Sequence, residues 1–234
     1  MTTANSFVSP PATRPHFKVW PSRLPREVVI PHTSLWFNLA VTATRFPDKA
    51  AYLFFGRSLT YRELHAQAEA VAGWLQSVGV KAGDRVSLYM QNCPQFVAAY
   101  YGILRANAVV VPVNPMNKAE EFKHYITDPQ ARVAICSADL AGFVAAANAA
   151  LPELDRLQNV LVTRYTDAMP SGDLAPADVP APAVEAWLRS DPSLPKNAPS
   201  SSGTTYSRWL DVIAQNLTSG PHTAQPDDRS EGVV

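Results

Sequence analysis

Residues 59–115 decide the fold, and they read LTYRELHAQAEAVAGWLQSVGVKAGDRVSLYMQNCPQFVAAYYGILRANAVVVPVNP. Thr60 and Glu63 form the pattern of a capping box, in which each side chain satisfies a backbone N–H group that the first helical turn leaves unpaired. Gly79 can adopt the left-handed conformation that ends a helix, so the helix is predicted to stop there. Its apolar residues recur at spacings that define one helical face: Leu64, Ala68, Val71, Leu75 and Val78.

The stretch continues as strand, helix and strand. VSLYM at 86–90 is almost uniformly apolar, which is typical of a parallel strand covered on both faces. Pro94 begins a helix, and AVVVPV at 108–113 is a second buried run, in which Pro112 predicts a strand end or an interrupted ladder. The alternation then continues with helices at 119–127 and 139–150 and strands at 132–136 and 159–163. This order predicts an α/β fold with a parallel sheet in three layers and right-handed crossovers.

Residues 1–33 come before this region and carry six prolines, which remove backbone donors and fix φ too often for a helix or a central strand. An extended arm is therefore predicted. Ser34 is the expected N-cap of the next helix. One face of that helix is predicted to carry Leu35, Leu39, Thr42 and Phe46, with Trp36, Ala40 and Ala43 alongside. AAYLFF at 50–55, followed by a glycine, predicts a short hairpin.

The chain changes character after residue 164. Residues 165–234 are rich in proline, serine and aspartate, which predicts a long loop with a short helix at 184–189. One amphipathic helix is predicted at 206–217, with Trp209 on its apolar face. Nothing else in the tail can cover that face, so it is expected to dock on the main domain or on material outside this chain. The predicted organisation is an arm (1–33), an α/β subdomain (34–164) and a proline-rich tail (165–234).

Overall charge and sequence motifs argue against several classes of function. Twenty basic and twenty acidic residues among 234 give a net charge of zero, so the chain as a whole lacks the excess charge that duplex nucleic acid or an anionic membrane attracts. Cys93 and Cys136 form neither a redox motif nor a zinc motif, and two buried thiols are expected. The N-terminus lacks the pattern of a secretory signal, and no apolar run reaches the length of a membrane span. A cytoplasmic protein is expected.

Few residues suggest chemistry. The run Ser201-Ser202-Gly203-Thr204-Thr205 has the composition of a phosphate-binding loop, but no buried strand precedes it and no lysine follows within the loop. A flexible linker that caps the 206–217 helix through Ser202 or Thr205 is the favoured interpretation. The five histidines and the pair Asp227-Asp228 match no catalytic or metal-ligand spacing. No catalytic, cofactor-binding or metal-binding residue is predicted.

A parallel α/β sheet binds ligands by default in the crevice beyond the carboxyl ends of its strands. Three polar residues are expected at one rim there: Asn92, Asn114 and Ser137. The alternative is that Asn92 and Asn114 only cap the helices or turns that follow them, and this alternative is favoured.

The opening stretch also resembles a known family. LTYREL and the segment GVKAGDRVSLYMQNCPQFVAAYYGILRANAVVVPVNP are similar to the N-terminal subdomain of AMP-forming acyl-CoA synthetases, within the adenylate-forming superfamily. The matching positions include Thr60, Tyr61 and Leu64 at the start of the first long helix, and Asn92 and Phe96 at a strand-to-helix joint. The resemblance runs from about Leu35 to Val162 and favours the fatty acyl branch over the amino-acid-activating one.

The resemblance implies a two-step ligase. ATP and a carboxylic acid, here a fatty acid, give an acyl adenylate and pyrophosphate, with Mg²⁺ at the phosphates; coenzyme A then displaces AMP to give acyl-CoA. Such chemistry depends on positioning and on electrostatic stabilisation of developing charge.

The chain departs from the family pattern. The family's phosphate loop ending in Pro-Lys, its adenine and ribose motifs and its C-terminal lysine have no counterpart here, and Tyr206 stands where that loop needs glycine. The expectation is therefore an N-terminal fragment or truncated product that is inactive alone and binds none of ATP, Mg²⁺ or CoA. The alternative is a non-catalytic binding or partner module that associates with a second copy or with a missing C-terminal portion.

Overall fold

A computed structural model describes residues 14–26, 33–190 and 203–222. Internal contacts divide the chain into two units, residues 1–32 and 33–234, and each is described by itself. The first contains a short 3-10 helix, Pro15–Lys18, in which Phe17 contacts the rings of His16 and Trp20. The second contains the sheet and the helices.

The second unit begins with helix α1 (Leu35–Arg45), whose N-cap Ser34 accepts a hydrogen bond from the Phe37 N–H at 3.2 Å, as predicted. The predicted apolar face is wrong in part. Leu35 and Phe46 are exposed, whereas Trp36 and Leu39 are buried. The reason is that α1 packs on the helix that follows the hairpin, where the Trp36 ring lies 4.9 Å from the ring of His65.

The predicted hairpin and first long helix are confirmed. Strands β1 (Ala50–Phe54) and β2 (Arg57–Thr60) pair antiparallel, and helix α2 (Tyr61–Ser77) follows. The Glu63 carboxylate accepts a hydrogen bond from the Thr60 N–H at 2.7 Å, and the Thr60 hydroxyl accepts one from the Glu63 N–H at 3.2 Å. Gly79 has a φ of +92°, the left-handed conformation that its position required.

A five-stranded parallel sheet forms the centre of the molecule, with strand order β4-β3-β5-β6-β7. Its strands are β3 (Arg85–Tyr89), β4 (Val109–Pro112), β5 (Val133–Ser137), β6 (Asn159–Thr163) and β7 (Thr205–Arg208). The remaining helices are α3 (Pro94–Arg105), α4 (Ala119–Thr127), α5 (Ala141–Ala149), α6 (Pro182–Leu188) and α7 (Trp209–Ala214). Pro112 ends β4 at the edge of the sheet, where its missing N–H group costs no ladder hydrogen bond.

The sheet has a hydrophobic core on each face, so the predicted three-layer α/β class is confirmed. Successive strand residues point to opposite faces. Val86, Leu88 and Ile135 pack with α2 and α3 on one side. Tyr89 and Cys136 pack with α4 and α5 on the other.

The helix predicted at 206–217 is present, but its predicted bounds are wrong. Residues 205–208 form β7, which pairs with β6, and α7 covers only 209–214. The Thr205 N–H donates to the Gln158 carbonyl at 2.8 Å and starts this pairing, so the open edge of β6 overrides the local helical pattern. Trp209 is 2% exposed and docks with α7 on α2, which is one of the two expected outcomes.

Two other helices begin at residues different from those predicted. Helix α5 begins at Ala141 rather than at Asp139, because the Leu140 N–H donates to the Ser137 carbonyl in a turn after β5. Helix α6 begins at Pro182, which suits the first helical position because it lacks the N–H group that would be unpaired there. In the part of the chain that the structure describes, no helix has the length and apolar character needed to cross a membrane.

Candidate functional site

All five central strands run parallel, so their carboxyl ends meet at one edge of the sheet, where the sequence predicted a ligand crevice. Asn92 lies three residues beyond β3, Asn114 lies two residues beyond β4, and Ser137 is the last residue of β5. The structure therefore places the three predicted residues at the same edge. It does not bring them into one pocket.

Ser137 is fully buried and belongs to a chain of hydrogen bonds across the strand ends. The Tyr165 hydroxyl donates to Ser137 Oγ at 3.1 Å and accepts from the Gln91 N–H at 3.2 Å. Tyr165 follows β6, so its side chain ties together the ends of β3, β5 and β6. Sequence reasoning missed Tyr165. Its only signal was an aromatic residue placed directly after a buried strand in a polar segment.

None of these groups is an activated nucleophile. Burial raises the pKa of Tyr165 to about 12, more than its hydrogen bonds to Ser137 and Gln91 lower it, so the phenol stays neutral. Burial also raises the pKa of the Cys93 thiol to about 11, and it raises the pKa of the Cys136 thiol as well. Because the thiolate is the reactive form, both cysteines are structural, as the sequence suggested.

Two polar atoms beside Tyr165 are buried without a hydrogen-bond partner among the described residues: Gln95 Oε1 and Asp139 Oδ1. The second polar atom of each side chain makes a hydrogen bond. Gln95 Nε2 donates to the Arg164 carbonyl at 2.8 Å, and Asp139 Oδ2 accepts from Trp187 Nε1 at 3.0 Å. The Trp187 ring also lies 4.4 Å from the ring of Tyr165. The strand ends thus hold acceptors that a donor group or a water molecule could satisfy.

Asn92 lies in a different place from Ser137. It lines an apolar groove of about 320 Å³ between the β1–β2 hairpin and the start of α3, together with Tyr52, Phe54 and Phe96. The N-cap residue of α3 is Cys93, not Asn92.

Asn114 is exposed, and its Oδ1 accepts a hydrogen bond from the Met116 N–H at 3.0 Å. This is the turn-capping arrangement that the sequence offered as the alternative role for Asn114.

Two hydroxylated residues of the 201–205 run, Thr204 and Thr205, lie in the described part of the chain and are built into the fold. Ser201 and Ser202 lie outside the described residues, and Thr205 belongs to β7. The Thr204 hydroxyl donates to the Leu157 carbonyl at 2.8 Å and accepts from Asn148 Nδ2 at 2.8 Å, so it is fully used inside the protein. Arg208 is the N-cap residue of α7, with no side-chain capping bond, which corrects the predicted cap by Ser202 or Thr205.

Thr204 therefore has no spare hydroxyl proton to donate to the ATP phosphates. Nor do residues 14–26, 33–190 and 203–222 contain a group of three or more histidine, cysteine, aspartate or glutamate side chains that could hold a metal ion such as Mg²⁺. At the strand ends, the described residues form a hydrogen-bond network around Tyr165 and leave two buried acceptor oxygens, Gln95 Oε1 and Asp139 Oδ1, without a partner among them.

Comparison with known proteins gives the family. Residues 39–207 match the family of AMP-binding enzymes. The chain belongs to that family. A long-chain-fatty-acid–CoA ligase of Bacillus subtilis is 35% identical over 157 residues, which are 67% of this chain and 27% of that protein. A ligase of the same name from Salmonella typhimurium is 35% identical over 158 residues, which are 65% of this chain and 28% of that protein.

Solved structures agree on the fold. A crystal structure of an anthranilate CoA ligase in complex with anthranoyl-AMP superposes with a TM-score of 0.61 at 20% identity, over 84% of this chain and 30% of that one. The sequence resemblance to AMP-forming acyl-CoA synthetases is thus confirmed, and so is the α/β class. The chain spans only about a quarter of the length of the curated ligases it matches.

Proposed function

We propose that this chain forms the N-terminal subdomain of an ATP-dependent, AMP-forming acyl-CoA ligase. The reaction converts a carboxylic acid, ATP and CoA into acyl-CoA, AMP and pyrophosphate through an acyl adenylate. The match of residues 39–207 to the AMP-binding enzymes is the observation that carries this proposal. The fold, which superposes on that of a CoA ligase with a TM-score of 0.61, also supports the proposal.

A fatty acid is the proposed substrate. The support is the 35% identity to two proteins named long-chain-fatty-acid–CoA ligases. A cytoplasmic location is proposed with it. The division into 1–33, 34–164 and 165–234 also stays a prediction, with the addition that β7 and α7 of the last part pack on the second part.

We further propose that the chain alone is inactive and binds none of ATP, Mg²⁺ or CoA. The matched region is only 27% of the B. subtilis ligase, so most of that protein has no counterpart here, which supports this proposal. The internal hydrogen bonds of the Thr204 hydroxyl support it as well, since this hydroxyl donates its proton to the Leu157 carbonyl and not to a ligand. On this proposal the described residues supply a scaffold for groups that lie elsewhere in the complete enzyme.

The alternative function is a non-catalytic partner module. Open sheet edges and an uncovered tail helix are the two features that would support it. Strands β4 and β7 do lie at the two edges of the described sheet. However, Trp209 and Val212 of α7 are only 2% and 1% exposed. The apolar face of the tail helix is therefore already covered within the chain and does not support a partner.

The experiment is to determine the coding sequence beyond codon 234 and assay the protein read through into it. We expect a glycine- and threonine-rich loop ending in Pro-Lys, followed by release of AMP that depends on a fatty acid and on CoA. AMP release with amino acids but not with fatty acids would contradict the proposed substrate. For the alternative, a purified chain that is a stable dimer in light scattering would favour the partner module over the ligase scaffold.

A further inference from the structure

The charges of this neutral chain are distributed unevenly. Residues 1–26 contain no aspartate or glutamate, and the first acidic residue is Glu27. Four basic residues lie in the same segment: Arg14, Lys18, Arg23 and Arg26. Of the twenty basic residues this leaves sixteen for the rest of the chain, which carries all twenty acidic ones. The arm is therefore basic although the net charge is zero.

The described part of this arm, residues 14–26, has a folded arrangement around one aromatic ring. The guanidinium carbons of Arg14 and Arg26 lie 5.3 and 5.6 Å from the centre of the Phe17 ring, within the range of a cation–π interaction. The His16 ring packs edge-on against Phe17 at 4.6 Å. Trp20 Nε1 donates to the Pro25 carbonyl at 3.2 Å and closes a turn between them.

Apolar side chains stand exposed among these cations. Val19 is 84% exposed, Leu24 is 48% exposed and Trp20 is 37% exposed. Tryptophan favours the boundary between water and lipid, because its ring is apolar and its N–H group is polar. Aliphatic side chains are stabilised when they leave water for an apolar medium.

We propose that residues 14–26 form a surface that binds the face of an anionic lipid bilayer. Lys18, Arg23, Arg14 and Arg26 would meet the lipid phosphates and carboxylates, while Val19, Trp20 and Leu24 enter the headgroup boundary. Reversible binding of a peripheral protein needs two such contributions together, and the arm carries both. The proposal does not rest on the ligase function.

A nucleic acid fits the arm less well. It would attract the same four cations, and its bases could stack on Trp20. It would offer nothing to Val19 and Leu24, which a phosphate backbone leaves in water. The two aliphatic residues therefore distinguish a bilayer from a polyanion.

The test is flotation of the 234-residue chain with vesicles of phosphatidylcholine, with and without phosphatidylserine. We expect binding only with phosphatidylserine, and weaker binding as ionic strength rises. The variant Lys18→Gln/Arg23→Gln leaves the two arginines on Phe17 in place and should reduce partitioning by about tenfold or more. The variant Val19→Ser/Leu24→Ser keeps every charge and should also reduce partitioning severalfold.

The matched control is Arg62→Gln/Arg189→Gln, which removes the same charge from two exposed positions paired with Asp48 and Glu185. Its partitioning should stay within about twofold of the wild type, since these charges lie outside the arm. Circular dichroism and urea unfolding check that each variant folds as the wild type does. The proposal would be overturned if the control variant lost as much binding as Lys18→Gln/Arg23→Gln, or if the chain bound both vesicle types equally. It would also be overturned if Val19→Ser/Leu24→Ser bound vesicles as the wild type does and the chain bound duplex DNA tightly.

Discussion

Thr204 is a buried hydroxyl that connects three segments of the chain. It bonds to the Leu157 carbonyl and to Asn148, whose Oδ1 accepts from the Leu157 N–H at 2.7 Å. Replacing Thr204 with valine keeps the shape but leaves a carbonyl and an amide N–H group buried without partners. We expect Thr204→Val to lower the free energy of unfolding by about 1–3 kcal/mol, measured by urea denaturation.

Thr205 provides the control for that measurement, because it is the adjacent residue and its side chain is exposed on β7. Thr205→Val should change the free energy of unfolding by less than about 0.5 kcal/mol. If Thr204→Val proved as stable as Thr205→Val, the hydroxyl would be free to serve a ligand and the structural role given to it would be wrong.

Glu69 makes stability depend on pH. Burial would raise the pKa of this carboxyl group, but hydrogen bonds from Ser219 at 2.6 Å and from Arg105 at 2.8 Å outweigh it and hold the pKa below its usual value. A carboxyl pKa that is lower in the folded state stabilises the protein at neutral pH, and this stability is lost as pH falls below about 4.3 through the folded value. The advantage of the wild type over Glu69→Gln should therefore shrink between pH 6 and pH 3.

Urea unfolding at several pH values measures this difference. The control is Glu120→Gln on α4, where the carboxylate side chain is 81% exposed and pairs with Lys123 at the surface. Its effect on stability should be small throughout, because exposed ion pairs are screened by solvent. A Glu69→Gln difference that stayed constant with pH would contradict the ionic role of Glu69.

At the scale of elements, α2 and α3 pack closely because of Gly102. A Cβ atom there would lie 2.7 Å from the Val71 side chain and 3.0 Å from the Ala68 carbonyl oxygen, which is backbone and cannot move aside alone. We expect Gly102→Ala to cost about 1–3 kcal/mol in the free energy of unfolding, despite the better helix propensity of alanine.

Gly142 on α5 is the matched control, since a Cβ atom there meets nothing within 4 Å. Gly142→Ala should stabilise the protein by up to about 1 kcal/mol, because alanine loses less backbone freedom in a helix. Thermal unfolding of the two variants should therefore shift in opposite directions. Shifts of the same sign would mean that the two helices are not in close contact.

Docking of α7 can be tested in the same way. Trp209 is 2% exposed whereas its neighbour Leu210 is 54% exposed. Trp209→Ala should destabilise the chain by about 3–5 kcal/mol, and Leu210→Ala by less than about 0.5 kcal/mol. Similar urea midpoints for the two variants would show that the tail is not part of the folded unit.

At the scale of the whole molecule, the sequence predicted most of the sheet but not its last strand. The runs that form β3 and β6 are mostly apolar, so burial and strand propensity favour the same structure there. The residues of β7, TYSR, are polar, and the strand exists because β6 offers an open edge. Pairing between distant segments is not written in local periodicity.

The candidate site shows the same limit. Sequence order was enough to place Asn92, Asn114 and Ser137 at one edge of a parallel sheet. It could not show that Tyr165 links Ser137 to Gln91, because that contact joins residues 74 positions apart. It also could not show that the Thr204 hydroxyl donates its hydrogen bond to the Leu157 carbonyl. The sequence shows that a threonine is present, but not whether its hydroxyl binds a phosphate or a backbone carbonyl.

We propose that the chain is a scaffold of an AMP-binding ligase and performs no adenylation alone. The most direct measurement is ATP–pyrophosphate exchange by the purified, folded 234-residue protein, with Mg²⁺ and fatty acids of increasing length. A characterised long-chain-fatty-acid–CoA ligase serves as the positive control. We expect no exchange above background with any acid. Exchange that depends on a fatty acid and rises with protein concentration would contradict it.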